Sequence, residues 1–326
     1  MIAPTDEQLH EPGPDPAWQE SYYFNWADPG ERYFGLARIG FNPAAGRVDG
    51  LLLTVRDGKL EYVYPGVGLR FDPALGQPAT RGLRAGQLAF TMREPLTRWN
   101  IRLDGRNRVD LNWTALTPPH DFHDGPRTAG RSGAGAAMHF EQAGTVTGGI
   151  HVRGKEYEVD CVGQRDKSWG ARDWASISGW EWITGLFGAD FGFNATLSLI
   201  GPDGVATGFV HRDGVCRPLA QAVVEYEWTR IPDVPRAARI LLTDADGTHY
   251  DVRATALAQV PLIKTGLFLQ ETHARFETEL DGVHRAGVGV MEHAWHADRR
   301  QSLQRLPDLA PVLALALREK LACWSV

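Results

Sequence analysis

The sequence predicts an all-β protein built from two related halves and finished by a single C-terminal helix. Three observations carry that expectation. Short runs rich in Val, Leu, Thr and aromatic residues alternate with Asp-Gly and similar turn signals along most of the 326 residues, the spacing of sandwiches and barrels. Gly163, Asp166 and Trp169 form a Gly-x-x-acid-x-x-Trp pattern that returns as Gly289, Glu292 and Trp295, as the closing seam of a duplicated unit would. Finally, Leu309, Val312, Leu313, Ala316, Leu317 and Leu321 fall on one face at 3.6-residue spacing after Pro307, an amphipathic helix expected to dock on a barrel.

Taken in order, a Pro-rich lead to Asp15 precedes an aromatic knot of Trp18, Tyr22, Tyr23, Phe24 and Trp26, read as a segment plugging the bottom of a barrel. Residues 51–56 and 59–64 flank Asp57-Gly58, a two-residue hairpin turn whose positive φ positions suit Asp and Gly. Further runs follow at 67–71, 87–93, 99–103 and 109–116. The low-complexity stretch 125–137 has no preceding strand and no following helix with Lys and Ser/Thr, so it reads as a loop at a barrel mouth rather than a phosphate cradle. Runs 145–152 and 157–163 flank a turn at Arg153-Gly154. The second half repeats the scheme: 191–200 turns at residues 202–204 into 205–211, 239–243 turns at Asp246-Gly247 into 249–255, and 270–280 turns at Asp281-Gly282 into 284–295. Closing each meander would remove the unpaired edges that long antiparallel strands otherwise present.

Composition narrows the function classes. A net charge of -6 argues against a nucleic-acid partner, which calls for clustered Lys and Arg. Cys161, Cys216 and Cys323 are widely spaced and lack a CxxC pair, so neither a disulfide framework nor a zinc ribbon is indicated, and a reducing, cytoplasmic location is expected. The N-terminus is polar, and no apolar run approaches the roughly 18 residues of a membrane span. Eleven tryptophans exceed what cores alone need and suggest rings lining a cavity.

The chemistry-bearing residues concentrate in 163–174, GQRDKSWGARDW. GxSxG, HExxH and dinucleotide fingerprints are missing, so no cofactor is expected. His120, Asp121, His123 and Asp124, with His139, and likewise His293 and His296 beside Glu292, are weighed as metal ligands. Alternation would put His293 and His296 on opposite faces of a strand, and no metal is assigned. Asp166 enclosed by Trp169 and Trp174 is the stronger candidate: indoles would strip its hydration, keep it protonated and shelter a developing cation. Trp180 and Trp182 would extend that wall from one face of a strand while Glu181 points to the other. A structural alternative stands beside this, in which Arg165 and Arg172 pair with Asp166 and Asp173 and pin one half to the other.

Asp166-Lys167-Ser168-Trp169-Gly170, with Trp174 and the Trp180/Trp182 pair, resembles the Asp-His-x-Trp-Gly signature of the carotenoid 1,2-hydratase (hydroxyneurosporene synthase) and kievitone hydratase-like superfamily. The resemblance runs from Trp18 to Glu292-His293. It implies a double calycin: a lipocalin-like barrel over 1–165, a second over 166–304 and the helix over 305–326. It also implies a cofactor-free hydratase, lyase or isomerase acting on a hydrophobic terpenoid, steroid or aromatic molecule. In that reading Asp166 donates the proton beside Trp169, while Trp174, Trp180 and Trp182 bind substrate and Glu292 or His293 orients a water. Lys167 stands where the family has His, and the family's later Tyr-x-Asp is not visible in residues 191–197. The alternative from another class is a non-catalytic carrier of a hydrophobic ligand; a homodimer stays open.

Overall fold

The computed structural model describes all residues except 73–77, 125–137, 173–177, 199–204, 265 and 324–326. The loop at 125–137 and the turn at 202–204 lie outside the described residues. The first unit comprises β1 (Trp18–Ala27), β2 (Tyr33–Asn42), β3 (Arg47–Arg56), β4 (Lys59–Arg70), β5 (Leu83–Ala85), β6 (Leu88–Glu94), β7 (Arg98–Leu103), β8 (Arg108–Ala115), β9 (His120–Asp121), β10 (Met138–Val152) and β11 (Lys155–Ala171). They form one antiparallel sheet in the order β4-β3-β2-β1-β11-β10-β8-β7-β6-β5, with β9 on β10. The sheet curls without closing its ladder. Tyr64 spans the gap: its hydroxyl donates to Ala85 O and accepts from Gln87 N–H, both at 2.9 Å.

The second unit is a closed eight-stranded barrel: β12 (Gly179–Leu186), β13 (Phe191–Ser198), β14 (Val205–Arg212), β15 (Val215–Trp228), β16 (Pro235–Asp244), β17 (His249–Lys264), β18 (Leu267–Leu280) and β19 (Val283–Trp295). The chain passes from one sheet to the other between Ala171 and Gly179, later than the 165/166 boundary read from sequence. The Asp-Gly signals do what their chemistry requires: Asp57-Gly58 and Asp281-Gly282 both take left-handed φ (49° and 74°, 53° and 75°), the two positive values a type I′ turn needs.

The repeated Gly-x-x-acid-x-x-Trp lies on β11 and β19, the last strand of each unit, paired with β1 and β12, the first. The glycine has a steric reason. A Cβ at Gly163 would sit 2.1 Å from Asn25 O and one at Gly289 would sit 2.0 Å from Thr184 O, so only glycine lets the first strand approach there. The aromatic knot is corrected: Trp18–Ala27 is strand β1, not a plug. Tyr22, Phe24 and Trp26 fill the first unit's core, while Tyr23 faces outward into the interface between units. The plug is the lead before it, a 3-10 turn at Pro4–Glu7 whose Glu7 is fully buried.

Helix α1 (Arg299–Cys323) begins before Pro307 and carries Pro307 and Pro311 inside it. Leu309 packs on Phe268 and Trp295 at one end of the second barrel, Val312 joins the interface core, and Glu319 accepts from Tyr62 (2.7 Å) and Asn107 (3.0 Å) of the first unit. The helix therefore straps both units together, and Leu313, Leu317 and Leu321 of the expected stripe stay exposed. Among the described residues no helix is long and apolar enough to cross a membrane.

Candidate functional site

Strand alternation decides which side chains meet. On the first sheet, the residues directly opposite one another across β2, β1, β11 and β10 are Arg38, Tyr23, Asp166 and Glu141, a polar row on the outer face. On the barrel, the row across β12, β19 and β18 is Trp182, Glu292 and Glu271, again on the outer face. The two rows face each other between the units, with the Tyr23 ring edge-on to Trp182 at 5.5 Å and an apolar interface that includes Leu36, Val162, Leu186 and Val290 around them. The duplication has placed its two acids, Asp166 and Glu292, on facing sides of one interface.

Each carboxyl there has a distinct setting. Glu141 is fully buried and accepts from Trp182 Nε1–H (2.8 Å) and Gln164 Nε2–H (3.0 Å), with His139 Nε2 at 3.0 Å. Burial pushes its carboxyl up against the opposing pull of His139. Glu292 accepts from the indole N–H of Trp180. Glu271 is 2 % exposed, its Oε2 is buried with no donor beside it among the described residues, and it stands directly opposite Glu292 across the β18–β19 ladder. Burial first, then the charge of Glu292, holds Glu271 well above the usual carboxyl range, the direction that favours its protonated form. Asp166 is part-exposed and adds to the negative field at Glu271.

Cations rim the same space. Arg38 and Lys264 keep partial exposure, yet burial lowers the pKa of both, and Asp166 and Glu292 act on both in the opposite direction. Arg172 donates to Ser168 O and Oγ (3.1 and 2.7 Å) and is depressed by burial and by Arg38. His139, Glu141 and Asp166 bring one donor atom each within 4.8 Å of one another, close enough for one cation, but the guanidiniums of Arg38 and Arg172 already supply positive charge to that corner. Trp182→Phe would keep the ring beside Tyr23 and delete the donor to Glu141. The expected loss is about 1–3 kcal/mol, read from the urea midpoint; an unchanged midpoint would mean that Gln164 and His139 suffice.

The other expected residues separate. Trp169 is three positions from Asp166 and so lies on the other face of β11, stacked on His10 (4.3 Å, 9°) and beside Phe140. It does not wall Asp166, because an odd spacing on a strand crosses the sheet. Trp174 and Asp173 lie outside the described residues. Arg165 pairs with Glu7 and Gln142 inside the first unit rather than with Asp166, and Lys167 pairs with Glu20 at 2.6 Å in the same interior. His293 points into the second barrel, one residue after Glu292 and on the opposite face. There Glu181 binds His293 Nδ1 with one oxygen and accepts the Tyr226 hydroxyl with the other, while Trp295 stacks on the imidazole at 4.9 Å. Tyr23, Arg38, Glu141, Lys264 and Glu271 were not among the expected site residues. Period-2 reading of β1 could have found Tyr23, since it alternates out of the apolar face of Tyr22 and Phe24.

The arrangement matches known folds closely in shape and weakly in sequence. An AttH-like protein from Nitrosomonas europaea superposes with a TM-score of 0.66 at 17% identity, covering 91% of this chain and 97% of that one. Kievitone hydratase from Nectria haematococca gives 0.64 at 13% identity over 90% and 93%, and CghA gives 0.62 at 13% over 87% and 89%. These likenesses establish a shared double-barrel fold. No curated protein matches the sequence. A family model does match residues 3–297, nearly the whole of both units, and the chain therefore belongs to the family described as domain of unknown function DUF7064.

Proposed function

We propose that the polar rows facing each other between the two units form the active site of a cofactor-independent hydratase, lyase or isomerase that protonates a hydrophobic small molecule. The Glu271–Glu292 pair is the observation that supports this most: a carboxyl kept protonated by burial and by an adjacent carboxylate is a proton donor poised at neutral pH. Glu271 gives its proton to an unsaturated carbon, Glu292 takes up the proton from an attacking water or an adjacent carbon, and Asp166 faces them from the other unit. Trp180 and Trp182 bind substrate with their rings and hold Glu292 and Glu141 with their N–H groups. Neutral Tyr23, its phenol pushed well up by burial and then by Glu271 and Glu292, offers a donor from the opposite wall. A hydratase among the proteins of the same fold agrees with this reading.

The test begins with mass spectrometry of the hydrophobic compound that travels with the purified chain, followed by incubation of that complex in D₂O. Deuterium should appear on carbon of the compound, and Asp166→Asn should slow its arrival while the compound stays bound. A bound compound that never acquires deuterium would make the protein a carrier.

A further inference from the structure

Across β2, β1 and β11, Phe41, Glu20 and Trp169 stand directly opposite one another, on the face of the sheet from which Tyr22 enters the first unit's core. The N-terminal lead lays His10 over this row. The imidazole stacks on Trp169 at 4.3 Å and 9°, its Nδ1 lies 3.0 Å from Glu20 Oε1, and its backbone N–H donates to Glu20 Oε2 at 3.0 Å. Lys167 Nζ sits 4.3 Å from the Trp169 ring centroid and 3.3 Å from the same Nδ1. Lys167 and Trp169, the two motif residues that the interface does not use, therefore both fix this imidazole. Beside it is a cavity of about 350 Å³ whose lining includes His10, Glu11, Glu20, Leu9, Phe41 and Phe71, a size at the lower end of small-molecule sites.

The Glu20 carboxylate can only accept hydrogen bonds, so Nδ1 carries the imidazole proton and Nε2 holds the lone pair. Lys167 directs its own hydrogens to Glu20 Oε1 (2.6 Å) and Gln8 O (3.1 Å). With Lys167, the His10 backbone N–H and Nδ1–H all on it, Glu20 is occupied, and Nε2 is the acceptor left at the cavity. Asp6 Oδ1 stands 3.9 Å from Nε2, too far for a hydrogen bond, and the His10 side chain is 24 % exposed. We propose that the cavity is a second binding site, separate from the interface between the units, and that it takes a small phenol whose hydroxyl donates to His10 Nε2. The walls select this class. Phe41 and Phe71 meet edge to face at 5.0 Å and offer an aromatic surface to a third ring. Glu11 and Glu20 line the same space and repel an anion. A neutral hydroxyl on an aromatic ring answers both the apolar wall and the acceptor. The site does not depend on proton transfer at the interface.

Calorimetric titration of the full chain with 4-ethylphenol, and with 1-ethyl-4-fluorobenzene as a similar shape lacking the O–H, tests the proposal. The phenol should bind at one saturable site and the fluoro compound at least about tenfold more weakly, the effect of losing one such hydrogen bond. His10→Phe keeps a flat ring on Trp169 but removes Nε2, and the preference for the phenol should disappear. Long-range proton–nitrogen NMR of the wild-type imidazole needs no variant: the free protein should show His10 protonated on Nδ1, and the phenol should move the Nε2 resonance. Equal affinity for the two compounds, no binding, a preference that survives His10→Phe, a His10 signal unmoved by bound phenol, or a proton on Nε2 would each overturn the site. None of these outcomes touches the deuterium readout, so the interface reading and this one fail separately.

Discussion

Glu271→Gln should stop solvent deuterium from reaching the bound compound, by about 10²–10⁴-fold, and should at the same time raise the melting temperature at pH 7.5. The opposite signs follow from one cause. The amide keeps the shape and hydrogen-bonding of the protonated acid but has no proton to give. In the unfolded chain Glu271 ionises near the ordinary carboxyl pKa of about 4.3; in the folded chain burial and Glu292 hold it protonated to a higher pH. A raised folded pKa means that the stability Glu271 contributes is complete below the unfolded pKa and is lost as pH rises through the folded one. Wild-type stability should therefore decline across that window, and the variant should be spared that decline. Each kcal/mol recovered is worth about 2–4 °C in a domain of 150–250 residues. Melting curves at intervals from pH 4 to pH 8 read the difference directly. A variant less stable than wild type throughout, or one that still transfers deuterium, would remove Glu271 from the proposed role.

Removing the Glu7 carboxylate is expected to produce the largest stability loss. Glu7, fully buried, takes a bidentate contact from Arg165, whose side chain is 1 % exposed and also donates to Gln142. The guanidinium lies 5.0 Å from the ring centroids of Trp113 and Phe140. Nearby, Lys167 is paired with Glu20, which His10 also contacts. Burial works to raise the Glu20 carboxyl, but His10 and Lys167 outweigh it, so the net shift is downward. Glu7→Ala leaves the Arg165 charge without its partner in the interior, a loss of about 3–5 kcal/mol, lowering the melting point by on the order of 10 °C. Arg165→Met on top of Glu7→Ala should recover most of that loss, because apolar groups of similar volume tolerate the site that a lone charge does not. If the single variant melts like wild type, the N-terminal lead is not the plug that holds the first unit.

These two carboxylates show what could be read from the chain. Turn signals, alternating runs and a repeated seam point to the right architecture because they are local: Asp57-Gly58 and Asp281-Gly282 bend the backbone by their own conformational preferences. Gly163 and Gly289 repeat because each must let a neighbouring strand come close. Asp166 and Glu292 could be named as candidates for the same reason. Glu271, in contrast, carries no motif. It becomes unusual only because β18 sets it beside Glu292 and the first unit covers both. Trp169 was misplaced for a related reason: three residues along a chain look near, but on a strand they stand on opposite faces.

The sequence by itself determined the all-β class, the duplication, the major turns and the presence of a C-terminal helix, since propensity, turn chemistry and periodicity act within a few residues. Tertiary structure alone decided that Arg165 and Lys167 turn inward to Glu7 and Glu20, that the helix straps both units, and that Asp166 faces Glu271 and Glu292 across the interface. Burial and charge at such a place are sums over groups far apart in the chain, and only the folded arrangement brings those groups together.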